Sequence, residues 1–266
     1  MDTESATTDL LPTGDMRSYD LIAELILQCR IRKQILRAKT RMSNQIDAQE
    51  RLISGKLKAG KEAKNKFVIS PVARAAAEHA SPVLSVHLKA LADDQKPYDK
   101  AIEKLAKQLP VWGWIEVDVR GCGASMLGQI IGETGDLSNY ENPAKVWKRM
   151  GLAVMPDGKR QRRVTGDEAI QHGYDAERRS LMYVLGDCLV KQNGEGAYRR
   201  LYDARKALEL ERLPADAKGR QGWAHARASR YMQKRFLVHL WEHWHRVADV
   251  TLDSRVPSDF GAERNV

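Results

Sequence analysis

The sequence predicts an all-α protein: a long antiparallel helical hairpin followed by a helical domain. Three observations predict it. Residues 18–54 repeat apolar side chains at helical spacing with no Gly or Pro to interrupt them. Residues 72–109 do so again after a short basic connection. Beyond residue 110, helical patterns recur and sustained β alternation is hard to find.

The elements follow in order. Residues 1–17 are polar, and a flexible tail is expected there. In 18–54, Leu21, Leu25, Ile26, Cys29, Ile35, Leu36, Met42, Ile46 and Ile53 form the apolar stripe, opposite Arg, Lys, Gln and Glu. The connection "GKLKAGKEAKNKFVISP" carries Lys56, Lys58, Lys61, Lys64 and Lys66, a charged tip suited to salt-dependent contact with a phosphate backbone. The second helix presents Leu84, Leu88, Leu91, Tyr98, Ile102, Leu105 and Leu109, and Pro82 and Pro97 predict breaks or kinks in it. Together these make a coiled-coil hairpin over 18–110. Two helices alone leave apolar surface over, to be covered by a partner chain or by the domain that follows.

Residues 111–250 form that domain. Helices are predicted at 123–133, 142–150, 175–192, 195–211 and 223–249, with "RVTGDEAIQHGYD" as a turn-rich link. "VWGWIEVDV" reads as a short strand or an extended lead-in. Residues 251–266 are a C-terminal tail.

Composition narrows the function. The chain has 266 residues, with 44 Lys and Arg against 35 Asp and Glu, so its net charge of +9 suggests a polyanionic partner. Cys29, Cys122 and Cys188 lie far apart, which fits a reducing compartment without a disulfide framework and offers no Cys-x-x-Cys pair for zinc. The acidic start has no secretory pattern, and no apolar run approaches the roughly 20 residues that cross a bilayer. A soluble, cytoplasmic protein that makes no membrane contact is expected.

Motifs for chemistry are sparse. Gly121-Cys122-Gly123 is neither a P-loop nor a dinucleotide fingerprint, for lack of the following Gly-Lys or of a βαβ setting. With Val119 it fits the tight turn of a helix-hairpin-helix, whose open amides meet a phosphate. A plain helix start with Gly for backbone freedom is the equal alternative. "HLWEH" at 239–243 has the form of an inverted zinc-peptidase motif but lies close to the end of the chain, and it reads as a packed helix. No His-Asn-His set on a ββα pattern and no Gly-x-Ser-x-Gly turn is present. No catalytic residue, metal site or cofactor is therefore assigned. Trp112, Trp114, Trp147, Trp223, Trp241 and Trp244 are read as core.

The basic residues carry the binding prediction. "DGKRQRR" groups Lys159, Arg160, Arg162 and Arg163 in a turn, where guanidinium groups can bridge phosphates or stack on unpaired bases. Arg178, Arg179 and Tyr183 lie together on the next helix. Arg227, Arg230, Lys234 and Arg235 recur on the last, with His225 and Tyr231 as candidates for stacking or packing. Gly121 and Gly123 complete the candidate RNA-contact set.

The wider stretch "RGCGASMLGQIIGETGDLSNYENPAKVWKRMGL" resembles the C-terminal domain of the insertion-sequence transposases that use a bridge RNA. Gly121-Cys122-Gly123, Glu133, Gly135, Asp136, Tyr140 and Gly151-Leu152 match its pattern in order. "YDAERRSLMYVLGDCLV" is similar to that family's arginine-rich helix and "GWAHARASRYMQKRFLVHLWEHW" to its closing helix, so the resemblance spans roughly 84–246. Two features of those transposases are absent here. Their RuvC-like acidic domain is replaced by the hairpin, and "AVMPDGKRQRRVTG" lacks their nucleophilic serine.

A hairpin leading into such a domain resembles the Nop-domain proteins of box C/D guide-RNA particles. It resembles still more the nuclease-less Tas proteins of tandem interspaced guide RNA (TIGR) systems of prokaryotes and their viruses. The resemblance implies a Nop-like domain over 111–250 that binds a structured, box C/D-like guide RNA. It also implies a homodimer through the hairpin, and target DNA found by guide pairing without a nuclease of its own. Two other classes stay open: a transposase-derived protein that binds or recombines DNA, and a protein-interaction scaffold whose charge serves solubility.

Overall fold

A computed structural model describes residues 18–54, 71–192 and 196–252. The lysine tip at 56–66, residues 1–17 and most of the C-terminal tail lie outside the described residues. Within them the fold is all-α. Helices α1 (Ser18–Ser54) and α2 (Pro71–Ala106) have 37 and 36 residues, each about 55 Å long. They run antiparallel: Arg32 meets Asp99 while Lys39 meets Gln95, so numbering rises on one helix as it falls on the other. The predicted break at Pro82 and Pro97 does not occur, and α2 passes through both without interruption. Both proline rings face solvent, and pairing with α1 along the hairpin holds the helix through the missing amide bonds.

Leu21, Ile22, Leu25 and Cys29 of α1, with Ile102, Leu105 and Ala106 of α2 and Leu109 in the turn after it, form a buried root. Helix α4 (Ala124–Thr134) is wedged against this root. It is admitted by Gly128 and Gly132, one turn apart on its contact face. A Cβ at Gly128 would stand 2.6 Å from Ile102 Cγ2, and one at Gly132 would stand 2.4 Å from Cys29 Sγ. The hairpin root and the following domain therefore share one continuous core.

The stretch "VWGWIEVDV" is not a strand. It forms helix α3 (Trp112–Asp118) with its flanking turns, because Val111, Ile115 and Val119, four residues apart, all enter the core. Gly121 then takes a left-handed conformation (φ 93°), and a Cβ there would lie 2.8 Å from the Cys188 carbonyl. Its place is set by close packing. Gly123, extended and exposed, is the N-cap of α4.

After α4 come a 3-10 turn (Leu137–Asn139), α5 (Pro143–Arg149), α6 (Glu168–His172), α7 (Ala176–Val190), α8 (Ala197–Arg212) and α9 (Arg220–Leu252). Asn142 caps α5 through the Lys145 amide, with Pro143 in the first turn where no amide bond is lost. Helix α9 is the spine of the domain. Its Met232, Phe236, Leu237 and Leu240 are fully buried, and α5, α7, α8 and the 3-10 turn pack around it.

Indole N–H groups tie the turns to this spine: Trp147 donates to the Lys234 carbonyl (3.1 Å), Trp241 to the Tyr140 carbonyl (2.8 Å) and Trp244 to Asp136 Oδ1 (2.9 Å). Trp223 is the exception, 53% exposed in the first turn of α9. Among the described residues, no helix is long and apolar enough to cross a membrane.

Candidate nucleic-acid interface

Helix α7 is the pivot. Asp175 caps it, accepting from the amides of Glu177 (2.8 Å) and Arg178 (3.2 Å). Successive helical residues point about 100° apart, so Arg178 and Arg179 leave the helix toward different neighbours. Arg178 Nε meets Glu133 Oε2 of α4 at 2.9 Å. Lys33 of α1 joins the same carboxylate at 2.9 Å and Glu177 at 2.6 Å. Arg37 closes on Glu177 with a two-pronged contact of 2.8 and 3.0 Å. Burial alone would raise the Glu133 carboxyl, but hydrogen bonds from Lys33 and Arg178 outweigh it and hold the group below its ordinary range. This network clamps the hairpin to the domain. The recess of about 790 Å³ beside it is lined by Cys29, Leu36, Met126 and Leu181 and by four cations: Lys33 and Arg37, bound to those carboxylates, Arg32, bound to Asp99, and Arg41.

Arg179 does the opposite. Its Nη1 donates to the neutral Gln233 Oε1 of α9 at 3.0 Å. Gln233 is itself buried and oriented, donating to Ser229 Oγ at 3.0 Å.

The segment 151–163 folds back on itself as a tight basic hairpin turn. Met155 N donates to the Lys159 carbonyl (2.8 Å), Gln161 N donates to the Ala153 carbonyl (3.0 Å), and Val154 bridges Arg160. Gly158 turns the tip with a left-handed φ of 73°. Gln161 fastens the base: its Nε2 donates to the carbonyls of Lys148 (3.0 Å) and His172 (2.6 Å), and its Oε1 accepts from Ala153 N (3.2 Å). With Gln161 turned inward, Lys159, Arg160, Arg162 and Arg163 are left exposed.

Three of the predicted cations converge where this turn meets α7 and α9. Arg230 Nη2 donates to the Ala153 carbonyl at 3.2 Å, beside Arg160 and Arg179. Lys234, one turn on, lies 4.7 Å over the Trp147 ring. Burial first, then the like charges of Arg179 and Arg160, pull Arg230 down to about 10. Burial and Arg160 lower Arg179, and burial and Arg230 lower Lys234. Tyr174 opposes the shift at Arg179 and Arg230. Gly151 leaves room for the group, since a Cβ there would press within 3.3 Å of Arg179 and 3.6 Å of Tyr174. Among the described residues, Arg160, Arg179, Arg230 and Lys234 join no ion pair; the contacts of the last three are neutral.

The remaining predicted residues are engaged elsewhere. Arg178 belongs to the clamp. Arg227 pairs with the buried Glu209 at 3.0 Å, and Tyr231 lies under the Arg205 guanidinium at 5.0 Å. His225 meets the Tyr202 hydroxyl at 2.7 Å, and Arg235 meets His239 at 3.2 Å. His239 also bonds the Tyr198 hydroxyl (2.8 Å), whereas His243 stacks on Trp114 (4.1 Å), so the two histidines of "HLWEH" serve different contacts. Tyr183 is exposed on α7. Sequence reading missed Tyr174, Gln161 and Gln233, neutral side chains beside the cations that carry no charge signal of their own; Trp147, read as core, packs against the core and also lies under Lys234.

The arrangement suits oxyanion binding: guanidinium forks held by neutral acceptors, beside an exposed basic turn that extends the positive surface. No protein family, curated protein or solved structure matches the chain.

Proposed function

We propose that the protein binds a structured guide RNA as a homodimer, and that target DNA is recognised by guide pairing without a nuclease in this chain. The observation that supports this most is the group Arg160, Arg179, Arg230 and Lys234, drawn from three elements and lacking carboxylate partners among the described residues. Desolvated like charges oppose folding, and a polyanionic ligand offsets that cost. The exposed Lys159, Arg162 and Arg163 extend the surface for a polymer of phosphates. Arginine on a short, firmly anchored turn suits the irregular backbone and unpaired bases of folded RNA. DNA targeting rests on the sequence resemblance alone.

The dimer reading is supported by the outer face of α2. Val72, Ala76, His79, Val83, Val86 and Ala90 alternate four- and three-residue steps and are all exposed. That is the spacing of a coiled-coil seam. Lys89 and Asp94 flank it at positions that would meet across a parallel pair of α2 helices, twice by symmetry.

Purification from cells with and without RNase tests the function. Copurifying short RNAs of uniform length, and capture of DNA complementary to them, are the expected results. DNA retained after RNase treatment would instead favour the transposase-derived reading. For the dimer, Val83→Glu with Val86→Glu should halve the mass in light scattering; an unchanged mass would remove the seam from the interface.

A further inference from the structure

We propose that Arg160, Arg179, Arg230 and Tyr174 form a built site for a single phosphate group, and that the free protein is held under like-charge repulsion until that group binds. The RNA reading is needed only for the source of the phosphate, a backbone phosphodiester.

Geometry carries the site. Arg179 and Arg230 each spend a terminal nitrogen on a fixed neutral acceptor, the Gln233 amide oxygen and the Ala153 carbonyl. A guanidinium has five N–H donors, so most remain for a ligand. Both acceptors are locked. Gln233 is pinned by Ser229 and by α7, where a Cβ at Gly186 would fall 2.2 Å from its Nε2. The Ala153 carbonyl also accepts from the Gln161 amide, whose side chain is bonded to α5 and to the end of α6. Tyr174 adds a phenol beside Arg179, against Gly151. Such a set is preorganised for a tetrahedral oxyanion, and pairing forks with phosphate is geometrically favoured.

A structural role is most often marked by a carboxylate in this protein. Many of its structural arginines have one: Glu133 for Arg178, Glu209 for Arg205 and Arg227; Arg220, which holds the Leu210 and Leu213 carbonyls at the end of α8, does not. The phosphate site lacks a carboxylate among the described residues. Neighbouring Lys159, Arg162 and Arg163 add exposed charge around it, which favours one phosphate within a chain over an isolated acidic side chain of a partner protein.

The test uses the full chain stripped of nucleic acid by nuclease and high salt. Melting is followed in inorganic phosphate, in pyrophosphate and in acetate at matched ionic strength. Phosphate and pyrophosphate should raise the wild-type midpoint and acetate should not. Arg230→Met should melt higher than wild type without phosphate and lose the phosphate response. Arg160→Gln, at an exposed position, checks the response in a variant with little risk to folding. RNA affinity of Arg230→Met should fall roughly tenfold at moderate salt, with a salt slope smaller by about 1. Equal shifts with acetate would overturn the phosphate assignment. An Arg230→Met protein that melts lower yet keeps the full phosphate response would overturn the site. RNA binding that survives in every variant, with no phosphate response, sinks the site and spares the RNA reading. A phosphate response in a protein that binds no RNA does the reverse.

Discussion

Arg178 and Arg179 are adjacent in sequence and opposite in use. Arg178 turns to Glu133 and joins Lys33, Arg37 and Glu177 in a clamp between hairpin and domain. Arg179 turns to the amide of Gln233 and stands with Arg160 and Arg230. On the proposed reading, what separates these two neighbouring cations is the partner supplied. A carboxylate neutralises the charge and spends it on stability, whereas a neutral acceptor orients the charge and leaves it available.

The comparison breaks first at the clamp. Arg178→Ala leaves Glu133 part-buried with one cation fewer, and should cost about 2–3 kcal/mol in denaturant unfolding while leaving RNA affinity unchanged. Loss of RNA binding without loss of stability would exchange the roles of the two arginines.

Next in size is the anchor of the basic turn. Gln161→Leu removes three hydrogen bonds and takes their partner from the Ala153 amide and the His172 carbonyl, at a cost of about 1–3 kcal/mol. It removes no charge, so RNA binding should weaken through lost positioning with its salt slope preserved. A reduced slope would mean the turn has moved away from the backbone altogether.

Acid should act on the clamp before the cluster. The Glu133 carboxyl is held below its ordinary value of 4.5 in the folded protein. Its stabilisation is fully present above that value and is lost as pH falls through the lowered folded value. Glu133→Gln should flatten the acid limb of the stability curve. An unaltered limb would place the acid sensitivity elsewhere.

The smallest stability effect belongs to the tip. Arg162→Gln with Arg163→Gln removes exposed cations and should alter unfolding by no more than about 0.5 kcal/mol. It should nevertheless weaken RNA binding and flatten its salt dependence. Unchanged affinity and slope would confine the interface to the group of Arg160, Arg179, Arg230 and Lys234.

Much of the fold was legible because long helices repeat their pattern many times. The first helix was read at the bounds the structure has, 18–54. "VWGWIEVDV" was misread because Ile115, Val117 and Val119 alternate like a strand while Val111, Ile115 and Val119 step like a helix. Burial of the second set, with Val117 left 76% exposed, decides for the helix, and only tertiary packing carries that information. The glycine-rich stretch left phosphate contact and packing open. Gly121 packs on α7, Gly128 and Gly132 pack on the hairpin, and Gly123 alone is open.

The candidate site was legible only as a set of basic residues. Sequence places Arg178, Arg179, Arg227 and Arg230 on equal terms, because it shows the cation and not the group across from it. Glu133 lies 45 positions before Arg178, and Gln233 lies 54 positions after Arg179. No local spacing rule links such pairs. Gln161, Gln233 and Tyr174 are ordinary neutral residues whose importance arises from where the chain brings them.

The most direct test measures the salt dependence of RNA affinity for three nuclease-stripped proteins: wild type, Arg178→Ala, and Arg179→Met with Arg230→Met. The probe is a short RNA recovered from the native complex. The account predicts that the double variant loses affinity and that its log–log slope falls by about 2, while Arg178→Ala keeps both wild-type values. A double variant that binds with wild-type affinity and slope would contradict it.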